Sequence, residues 1–486
     1  MVRLLGHYVS AKLTLLIVLE ALVLVLSVWI GLWFHLNASG LALTDPATEV
    51  SLASAYGLCM LMIMSSMGLY EQSQSDEMSS VRRVRVLTAV LLGVGIALLA
   101  MQLVSTRYLG MDGLAVAVVG AVTGSSLLRL WFHKWADRGF FASRVLALGT
   151  PSETEKLEEL AKHADYTVVC SLEPQPSLVA DRNPLQVPPA GKRDLVSLVE
   201  KYAIDQIVVA VKDRRRRLPV EELLQCRLKG VRITELSTFF ERMHRKVLLT
   251  SLSPSWMVFG GGFRHGVFRT VAKRLFDLTA SGTLLLLMLP VTLAAALCIF
   301  LESGRPVLYR QERIGYRGRV FTMYKLRSMK NGAESDGTPR WAGANDDRTT
   351  RVGRILRKLR IDELPQAFNV LKGDMSFVGP RPERPYFVET LTKAVPYYAL
   401  RHSVKPGITG WAQVRYPYGA SVQDAIEKLQ YDLYYVKNHT LFLDFVILLA
   451  TVEVVLWGGG SGARTVQREI APQSSTRLRR TSLGSR

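Results

Sequence analysis

The stretch "SGTLLLLMLPVTLAAALCIFL", residues 281–301, decides how the chain meets a membrane. It has no charged residue and is long enough for a helix to cross a hydrocarbon core of about 30 Å. Basic residues stand on both sides, with Lys273 and Arg274 before it and Arg305 and Arg310 after it. Lysine and arginine concentrate on the cytoplasmic side of membranes. Both basic flanks can lie on that side only if the chain enters and leaves the membrane by the same face.

Pro290 lies in the middle of this stretch and offers a place for the chain to turn back. Proline lacks a backbone donor and clashes with the preceding turn, so a helix can break there if the freed polar groups are covered. The pattern therefore predicts a re-entrant membrane helix over about residues 275–301. An ordinary fifth span with a proline kink is the alternative that the sequence leaves open.

Four apolar runs upstream are each long enough to cross a bilayer. They cover residues 13–36, 53–70, 86–104 and 114–132. A cleaved signal peptide is the competing interpretation of the first run, but the run is long and lacks a small-residue cleavage site. Residues 1–135 are therefore predicted to form four transmembrane helices.

The basic residues around these runs indicate their orientation. The flanking cations are Arg3, Lys12, Arg82, Arg83, Arg85, Arg129, Lys134 and Arg138. The loop at residues 37–50 has no lysine or arginine, and Arg107 is the exception on that side. Both ends of the four-helix unit, and all that follows it, are predicted to face the cytoplasm.

The composition bounds the remaining possibilities. A length of 486 residues suggests roughly three domains. The net charge of +20 predicts an anionic partner, which could be nucleic acid, an acidic membrane face or a phosphorylated substrate. The four cysteines are far apart and form no CxxC pair, so neither a disulfide framework nor a zinc site is indicated.

Short β-branched runs alternate with helical stretches over residues 143–245, which predicts a small Rossmann-like domain with a parallel sheet. Its first strand ends in Gly149-Thr150-Pro151-Ser152, without the further glycines that let a dinucleotide pyrophosphate approach the backbone. A regulatory or structural role is therefore favoured over redox chemistry on a sugar nucleotide.

A cationic surface follows the membrane stretch. The run "FTMYKLRSM", residues 321–329, reads as a strand with Lys325 and Arg327 on one face. Further cations then recur at helical spacing, at Arg351, Arg354 and Lys358. Guanidinium groups bind phosphate oxygens in a bidentate way, so this surface suits a substrate with several phosphate charges.

Asp362 and Glu363 lie within this positive field, just before Pro365. Neighbouring cations lower the pKa of a carboxylate, so both side chains are expected to be ionised near neutral pH. Adjacent positions on a helix differ by about 100°, so the two cannot act from the same direction. One could attack a phosphorus while the other holds Mg²⁺. A solvated helix face is the alternative for such a pair.

Two loops rich in proline and glycine continue the basic character. "LKGDMSFVGPRPER" has Gly373 and Gly379 for close backbone approach, and Arg381 and Arg384 to contact anions. "RHSVKPGITGWAQV" is a second such loop, leading to Trp411. Turn chemistry alone is the alternative for each loop.

Several stretches together resemble a known family. They read "KRLFDLTASG", "RQERIGYRGRVFTMYKLRSM", "TRVGRILRKLRIDELPQAFNVLKGDMSFVGPRPE", "RHSVKPGITGWAQV", "YDLYYVKN" and "LFLDFVILLATV". They cover most of residues 270–456 and resemble the bacterial sugar transferases, in the large form of the monotopic phosphoglycosyl transferases. The resemblance implies a membrane protein with four transmembrane helices, an α/β Rossmann-like middle domain, and an α/β catalytic domain over residues 265–457.

The resemblance also implies an activity, as the first membrane step of exopolysaccharide biosynthesis. A carboxylate would attack the β-phosphate of a UDP-sugar, release UMP and form a covalent phosphosugar, which undecaprenyl phosphate then takes up. The implied cofactor is Mg²⁺, and the implied setting is the lipid of the bacterial inner membrane. No nucleic acid is expected as a partner, and a homo-oligomer is left open.

Individual roles follow by motif. Asp362 resembles the nucleophile and Glu363 the Mg²⁺ ligand. The positions that resemble phosphate contacts are Lys325, Arg327, Arg381, Arg384 and Arg415. The further active-site acids are Asp374 and Asp444.

Two departures from the family pattern stand out. Many members have Asn-Gly-Arg after "WAQV", whereas this chain has "RYPYGASVQDA", so Arg415 aligns only loosely with that arginine. Leu289 precedes Pro290 where many members have serine. The "RYPYGAS" version is similar to the exosortase-associated branch.

One rival from another class remains. A membrane-anchored scaffold protein of polysaccharide export could use the basic domain only to dock on acidic lipid. The intact Asp362-Glu363 pair favours the enzyme. The basic segment at residues 458–486 is predicted to be disordered.

Overall fold

The computed structural model of the protein describes residues 2–4, 7–9, 11–40, 46–66, 70, 111–136, 143–150, 154, 157–158, 166–172, 195–211, 218–249, 252, 266–332, 347–416 and 421–457. The predicted third span at residues 86–104 and the predicted tail at residues 458–486 lie outside this part.

The N-terminal region is a short hairpin followed by long apolar helices. Strands β1 (Val2–Leu4) and β2 (His7–Val9) pair in antiparallel fashion. The helices are α1 (Ala11–Ala38), α2 (Pro46–Ser66) and α3 (Met111–Ala136). By length and composition, α1 and residues 111–132 of α3 are apolar enough to cross a membrane. These helices coincide with the first and last predicted spans, and α2 covers most of the second.

Helices α1 and α3 approach each other through small residues. A Cβ on Gly31 would lie 2.4 Å from the Gly113 carbonyl oxygen, and one on Gly120 would lie 3.2 Å from Ser27 Oγ. Such close backbone approach replaces the hydrophobic driving force that helices lack in lipid.

A buried ion pair joins the same two helices. Glu20 of α1 is fully buried, and Arg129 of α3 donates from Nη2 to Glu20 Oε2 at 3.0 Å and from Nε to Glu20 Oε1. The guanidinium carbon of Arg129 lies 5.4 Å from the centre of the Tyr70 ring. The sequence pattern places Arg129 among the flanking cations, but in the structure it pairs with the Glu20 carboxylate between the two helices.

The middle region is a parallel α/β sheet, as the alternating pattern predicts. Its strands are β3 (Ser143–Gly149), β4 (Tyr166–Leu172), β5 (Gln206–Ala210) and β6 (Arg232–Glu235), in the order β4-β3-β5-β6. The associated helices are α4 (Leu195–Tyr202), α5 (Val220–Leu228) and α6 (Leu236–His244).

Both faces of this sheet are covered by apolar side chains. Ile207 and Val209 of β5 join one buried cluster, while Val208 and Ala210 join another. Successive strand residues point to opposite faces, so the alternation shows packing on both sides.

The last region contains the predicted membrane stretch and the cation-rich segment. Its strands are β7 (Leu308–Ile314), β8 (Val320–Leu326), β9 (Ser376–Val378) and β10 (Gly407–Thr409). Its helices are α7 (Val267–Ser303), α8 (Arg351–Lys358), α9 (Gln366–Lys372), α10 (Pro385–Ala394), α11 (Trp411–Arg415), α12 (Val422–Asn438) and α13 (Leu441–Trp457). Strands β7 and β8 form an antiparallel hairpin, and β9 pairs in parallel with β10.

Helix α7 is long and continues through Pro290. Its buried side chains lie towards its two ends, at Asp277 and Ser281 and again at Ala295 and Ile299. The apolar side chains between them, such as Leu286 and Leu293, are exposed. Both ends of α7 therefore pack against other elements of the last region, whereas no described residue buries the apolar side chains of its middle. The helix does not end at Pro290, so re-entry into the membrane stays a prediction.

A buried polar contact joins the middle region to the last one. Lys437 of α12 donates to Glu241 Oε2 of α6 at 2.7 Å, and Asn438 Nδ2 donates to Glu241 Oε1 at 2.7 Å. Trp411 Nε1 donates to the Arg245 carbonyl oxygen at 2.8 Å. All three side chains of the first contact are buried, so the two regions pack as one unit at this point.

Candidate active site

The carboxylate pair lies in a tight turn between two helices. Residues Ile361–Glu363 form a 3-10 turn after α8, and α9 begins at Gln366 directly after Pro365. Arg360 before the turn has a left-handed φ of 55°. The sequence predicted a helical pair, and the observed 3-10 turn separates adjacent side chains by about 120° rather than 100°. The two carboxylates still face different directions.

Glu363 is held by three cations. Arg381 Nη2 donates to its Oε1 at 2.6 Å, and Lys325 Nζ lies 3.4 Å from the same oxygen. Its Oε2 has longer contacts, 3.4 Å to Arg381 Nη1 and 3.7 Å to Arg360 Nη1. Burial alone would raise the pKa of Glu363, but Arg381 and Lys325 outweigh it and hold that pKa well below its ordinary value.

Asp362 is equally buried but differently placed. Each residue of the pair is 8% exposed. Within the described part of the chain, no side chain forms a hydrogen bond or ion pair with the Asp362 carboxylate. Burial and the charge of Glu363 raise the pKa of Asp362 to about 6, against the smaller effects of Lys325 and Arg381. The expectation that cations lower both pKa values is therefore wrong for Asp362, because burial outweighs them.

Arg381 owes its position to a closely packed loop. A Cβ on Gly379 would lie 2.4 Å from the Lys405 carbonyl oxygen, so only glycine fits there. Arg401 Nη2 donates to the Arg381 carbonyl oxygen at 2.9 Å and pairs with Asp432 Oδ2 at 2.7 Å. Arg401 and Asp432 are both buried.

The Arg401–Asp432 pair was missed in the sequence, although both residues stand inside the quoted family stretches. Each is ordinary by its local pattern, and the pair spans 31 residues of chain. The only sequence signal for the two residues is their place in the family stretches "RHSVKPG" and "YDLYYVKN", and this signal does not indicate that Arg401 and Asp432 pair with each other.

Arg313 is another cation of this neighbourhood. It donates from Nη1 to the Pro382 carbonyl oxygen at 3.0 Å and lies 3.6 Å from Glu383 Oε2. Burial lowers the pKa of Arg313 to about 10, and the charges of Arg381 and Arg384 act in the same direction. The predicted anion contact Arg384 directly precedes α10 and follows Glu383 in the chain.

Arg327 does not reach the carboxylate pair. Strand β8 ends at Leu326, so the alternation that placed Lys325 and Arg327 on one face stops before Arg327. Its Nη2 donates to the carbonyl oxygens of Ser303 at 2.9 Å and Gly304 at 2.7 Å, and its Nη1 donates to Asn331. The guanidinium thus binds the end of α7, where carbonyl groups lack helical partners.

Arg415 and Asp374 also have local partners. The Arg415 guanidinium lies over the Trp411 ring, 4.5 Å from its centre. Asp374 Oδ2 lies 3.0 Å from Lys372 Nζ, beyond the end of α9.

Asp444 belongs to a buried network rather than to the carboxylate pair. Lys273 Nζ of α7 lies 2.9 Å from Asp444 Oδ2 and 3.3 Å from Asp277 Oδ1. The Tyr435 hydroxyl donates to Asp444 Oδ1 at 2.7 Å, and the Phe377 amide donates to Asp277 at 3.0 Å. The network therefore ties α7 to β9, α12 and α13.

The described residues contain no group of three or more acidic, histidine or cysteine side chains suited to a metal ion. Mg²⁺ needs fewer protein ligands, because it usually keeps waters and takes one or two carboxylates plus substrate phosphate oxygens. The loosely held Glu363 Oε2 fits that donor set.

The fold and the site define a membrane-associated α/β protein with a carboxylate pair buried among lysine and arginine. Residues 268–458 match the family model described as bacterial sugar transferase. The chain is 43% identical over 190 residues to the uncharacterized sugar transferase EpsL of Bacillus subtilis, covering 39% of this chain and 90% of that protein. The chain belongs to the bacterial sugar transferase family.

Two further relatives have named substrates. The UDP-N-acetylgalactosamine-undecaprenyl-phosphate N-acetylgalactosaminephosphotransferase of Aeromonas hydrophila is 41% identical over 239 residues, 49% of this chain and 56% of that protein. The UDP-glucose:undecaprenyl-phosphate glucose-1-phosphate transferase of Caulobacter vibrioides is 43% identical over 198 residues, 40% of this chain and 74% of that protein. The chain thus matches little more than half of the Aeromonas protein.

Proposed function

We propose that the protein transfers a sugar 1-phosphate from a UDP-sugar to undecaprenyl phosphate, as a polyprenyl-phosphate sugar phosphotransferase. The names of the Aeromonas and Caulobacter relatives support the two substrate classes. Those relatives differ in the sugar, N-acetylgalactosamine in one and glucose in the other, so the sugar is left to experiment. We place this reaction at the first membrane step of exopolysaccharide biosynthesis.

The observation that carries the proposal is the asymmetry of the carboxylate pair. Glu363 is ion-paired, whereas Asp362 forms no ion pair with a described residue and has its pKa raised to about 6 by burial. A buried, unpaired carboxylate that is still mostly ionised at neutral pH is suited to nucleophilic attack. The cations around it would stabilise charge on a diphosphate.

In the first step, an Asp362 carboxylate oxygen attacks the β-phosphorus of the UDP-sugar. The bond from that phosphorus to the bridging oxygen breaks, and UMP leaves with the electron pair. The sugar phosphate is then bound to Asp362 as an acyl phosphate. Lys325 and Arg381, which contact the neighbouring Glu363, would stabilise the negative charge that develops on the phosphoryl oxygens.

In the second step, a phosphate oxygen of undecaprenyl phosphate attacks the same phosphorus. The aspartyl–phosphorus bond breaks, and its electrons return to the Asp362 carboxylate. The product is undecaprenyl-diphosphate-sugar. Dividing the displacement in two lets a water-soluble donor and a lipid acceptor use one nucleophile in turn.

Mg²⁺ would be held by Glu363 together with substrate phosphate oxygens and would neutralise part of the diphosphate charge. To bind it, Glu363 would turn Oε2 away from its long contacts with Arg381 and Arg360. Arg381 would keep its short bond to Oε1 and so hold the side chain in place.

We further propose that the protein lies in the bacterial inner membrane with its soluble regions facing the cytoplasm. The exposed apolar middle of α7 and the packing of both of its ends on one region support a re-entrant arrangement. We assign a structural or regulatory role to the middle α/β sheet, which the sequence predicts to be Rossmann-like.

The test is UMP release by the purified full-length protein with Mg²⁺, undecaprenyl phosphate and a panel of UDP-sugars. Wild type is compared with Asp362→Asn and with Asp347→Asn, a matched change at an exposed aspartate outside the pair. We expect one or more donors to give UMP with wild type and Asp347→Asn but not with Asp362→Asn. Mass spectrometry without the acceptor should then find a sugar phosphate on the Asp362 peptide.

If no donor gives UMP above the Asp362→Asn background while the protein remains folded, the transferase proposal fails. Binding to anionic vesicles without any turnover would then favour the membrane scaffold.

A further inference from the structure

The turn that carries the carboxylate pair connects two short helices, α8 and α9. Helix α8 ends at Lys358 and α9 begins at Gln366, so only a few residues separate the turn from each helix. The turn itself is held by local backbone hydrogen bonds, such as that from the Glu363 amide to the Arg360 carbonyl oxygen three residues earlier, at 3.2 Å. The directions of α8 and α9 therefore constrain the backbone positions from which the two carboxylates extend.

The N-terminal part of α7 binds the far end of α9. Arg274 donates from Nη1 to the Val370 carbonyl oxygen at 2.6 Å and from Nη2 to the Leu371 carbonyl oxygen at 2.7 Å. These carbonyl groups belong to the last turn of α9, where a cation also interacts favourably with the helix dipole. Gly373, with a left-handed φ of 97°, ends the helix there.

The C-terminal part of α7 binds the far end of α8. Glu302 Oε1 accepts from the Arg351 amide at 2.8 Å, and Glu302 Oε2 accepts from the Val352 amide at 3.2 Å. These amides belong to the first turn of α8, where an anion is favoured by the dipole. Each end of α7 thus binds one of the two helices that flank the carboxylate pair. In each case the charged side chain has the sign that the dipole of the contacted helix end favours.

We infer that Arg274 and Glu302 are positioning residues, through which the conformation of α7 in the bilayer controls the geometry of the Asp362-Glu363 turn. The catalytic consequence rests on the proposed function, but the ordering of the turn does not. A distortion of α7 would move α8, α9 or both, and would change the relative placement of Asp362, Lys325 and Arg381.

The test is hydrogen exchange of the full-length protein in phosphatidylcholine and phosphatidylglycerol vesicles. The variants are Arg274→Gln, Arg274→Lys, Glu302→Ala and Glu302→Gln, with Arg319→Gln and Glu312→Gln as matched controls on the exposed side of the β7–β8 hairpin. We expect Arg274→Gln and Glu302→Ala to speed exchange over residues 359–368 at least about threefold. In all variants, exchange in β5 should stay at the wild-type rate. In both control variants, exchange over residues 359–368 should also stay at the wild-type rate. The conservative variants Arg274→Lys and Glu302→Gln should change exchange over residues 359–368 less than Arg274→Gln and Glu302→Ala do.

A kinetic measurement on the same samples completes the test. We expect kcat for UMP release to fall about tenfold or more with KM for the UDP-sugar changed less than about threefold, as for a loss of geometry rather than of binding. Unchanged exchange over residues 359–368, or equal acceleration there and in β5, would overturn the inference. If wild type itself releases no UMP, the proposed function fails, and the exchange data still decide the inference.

Discussion

At the scale of single residues, the pKa values of the neighbours Asp362 and Glu363 are shifted in opposite directions. The side chain of Glu363 turns towards Arg381 and Lys325, which lower its pKa, whereas burial dominates for Asp362 and raises its pKa to about 6. Glu363 stays ionised throughout the range in which Asp362 changes charge, because Arg381 and Lys325 hold the pKa of Glu363 well below that of Asp362.

The raised pKa of Asp362 predicts an acid limb in the rate. The attacking group must be a carboxylate, so activity should be about half-maximal near pH 6 and nearly full above about pH 7, and its fall should approach about tenfold per pH unit well below pH 6. The measurement is kcat/KM for the UDP-sugar from about pH 5 to about pH 8. A rate that stays level down to pH 5 would show that the pKa is not raised.

Arg381→Gln should move this limb to higher pH. Arg381 lowers the pKa of Asp362, so its removal leaves burial and Glu363 less opposed. We also expect kcat to fall roughly 10- to 100-fold, because a donor to the developing charge is lost. Arg381→Lys, which keeps the charge, should leave the limb near its wild-type position. A limb that moves to lower pH in Arg381→Gln would contradict the assigned electrostatics.

At the scale of elements, the end of α7 is stabilised by Arg327 rather than left to solvent. Residue Arg327 is only 6% exposed, and its guanidinium group binds Ser303, Gly304 and Asn331. This geometry favours a structural role over the phosphate contact that the family resemblance implies.

Arg327→Met tests these alternatives. We expect the free energy of unfolding to fall by about 2–3 kcal/mol, because carbonyl groups at the end of α7 lose a charged donor. The KM for the UDP-sugar should change less than about twofold. Thermal unfolding in detergent and steady-state kinetics measure the two effects. A large rise in KM at unchanged stability would instead support the phosphate contact.

The elements themselves were largely readable in the sequence, because their signals are local. The spacing of Arg351, Arg354 and Lys358 predicts α8, and the β-branched runs predict the parallel sheet. Partners that depend on distant segments were not readable. Arg327 contacts the end of α7, more than 20 residues away along the chain, and the pKa of Asp362 depends on burial, which no local pattern encodes.

At the scale of the whole molecule, the middle and last regions share a buried polar contact. Glu241 accepts from Lys437 and Asn438, and all three residues are at most 8% exposed. Removing one partner leaves a buried charge uncompensated, which is more costly than removing the pair.

A double-mutant cycle over this contact has a definite expected pattern. Lys437→Met alone should cost about 3–5 kcal/mol of stability, whereas Glu241→Leu together with Lys437→Met should cost less. Asn438 keeps its bond to the Tyr434 carbonyl oxygen at 3.2 Å in the double variant. Thermal unfolding of the four proteins gives the coupling energy, and additive losses would contradict a buried ion pair.

The ion pair between Glu20 and Arg129 predicts an order in the biogenesis of the protein. The two residues are 109 positions apart, so the ribosome delivers the carboxylate of α1 long before its cation. An unpaired ionisable group is costly within the hydrocarbon region of a bilayer. We therefore expect α1 to be retained at the translocon until α3 emerges, and nascent chains truncated before Arg129 should be easier to extract from membranes than chains that include it. Glu20→Gln should remove this difference.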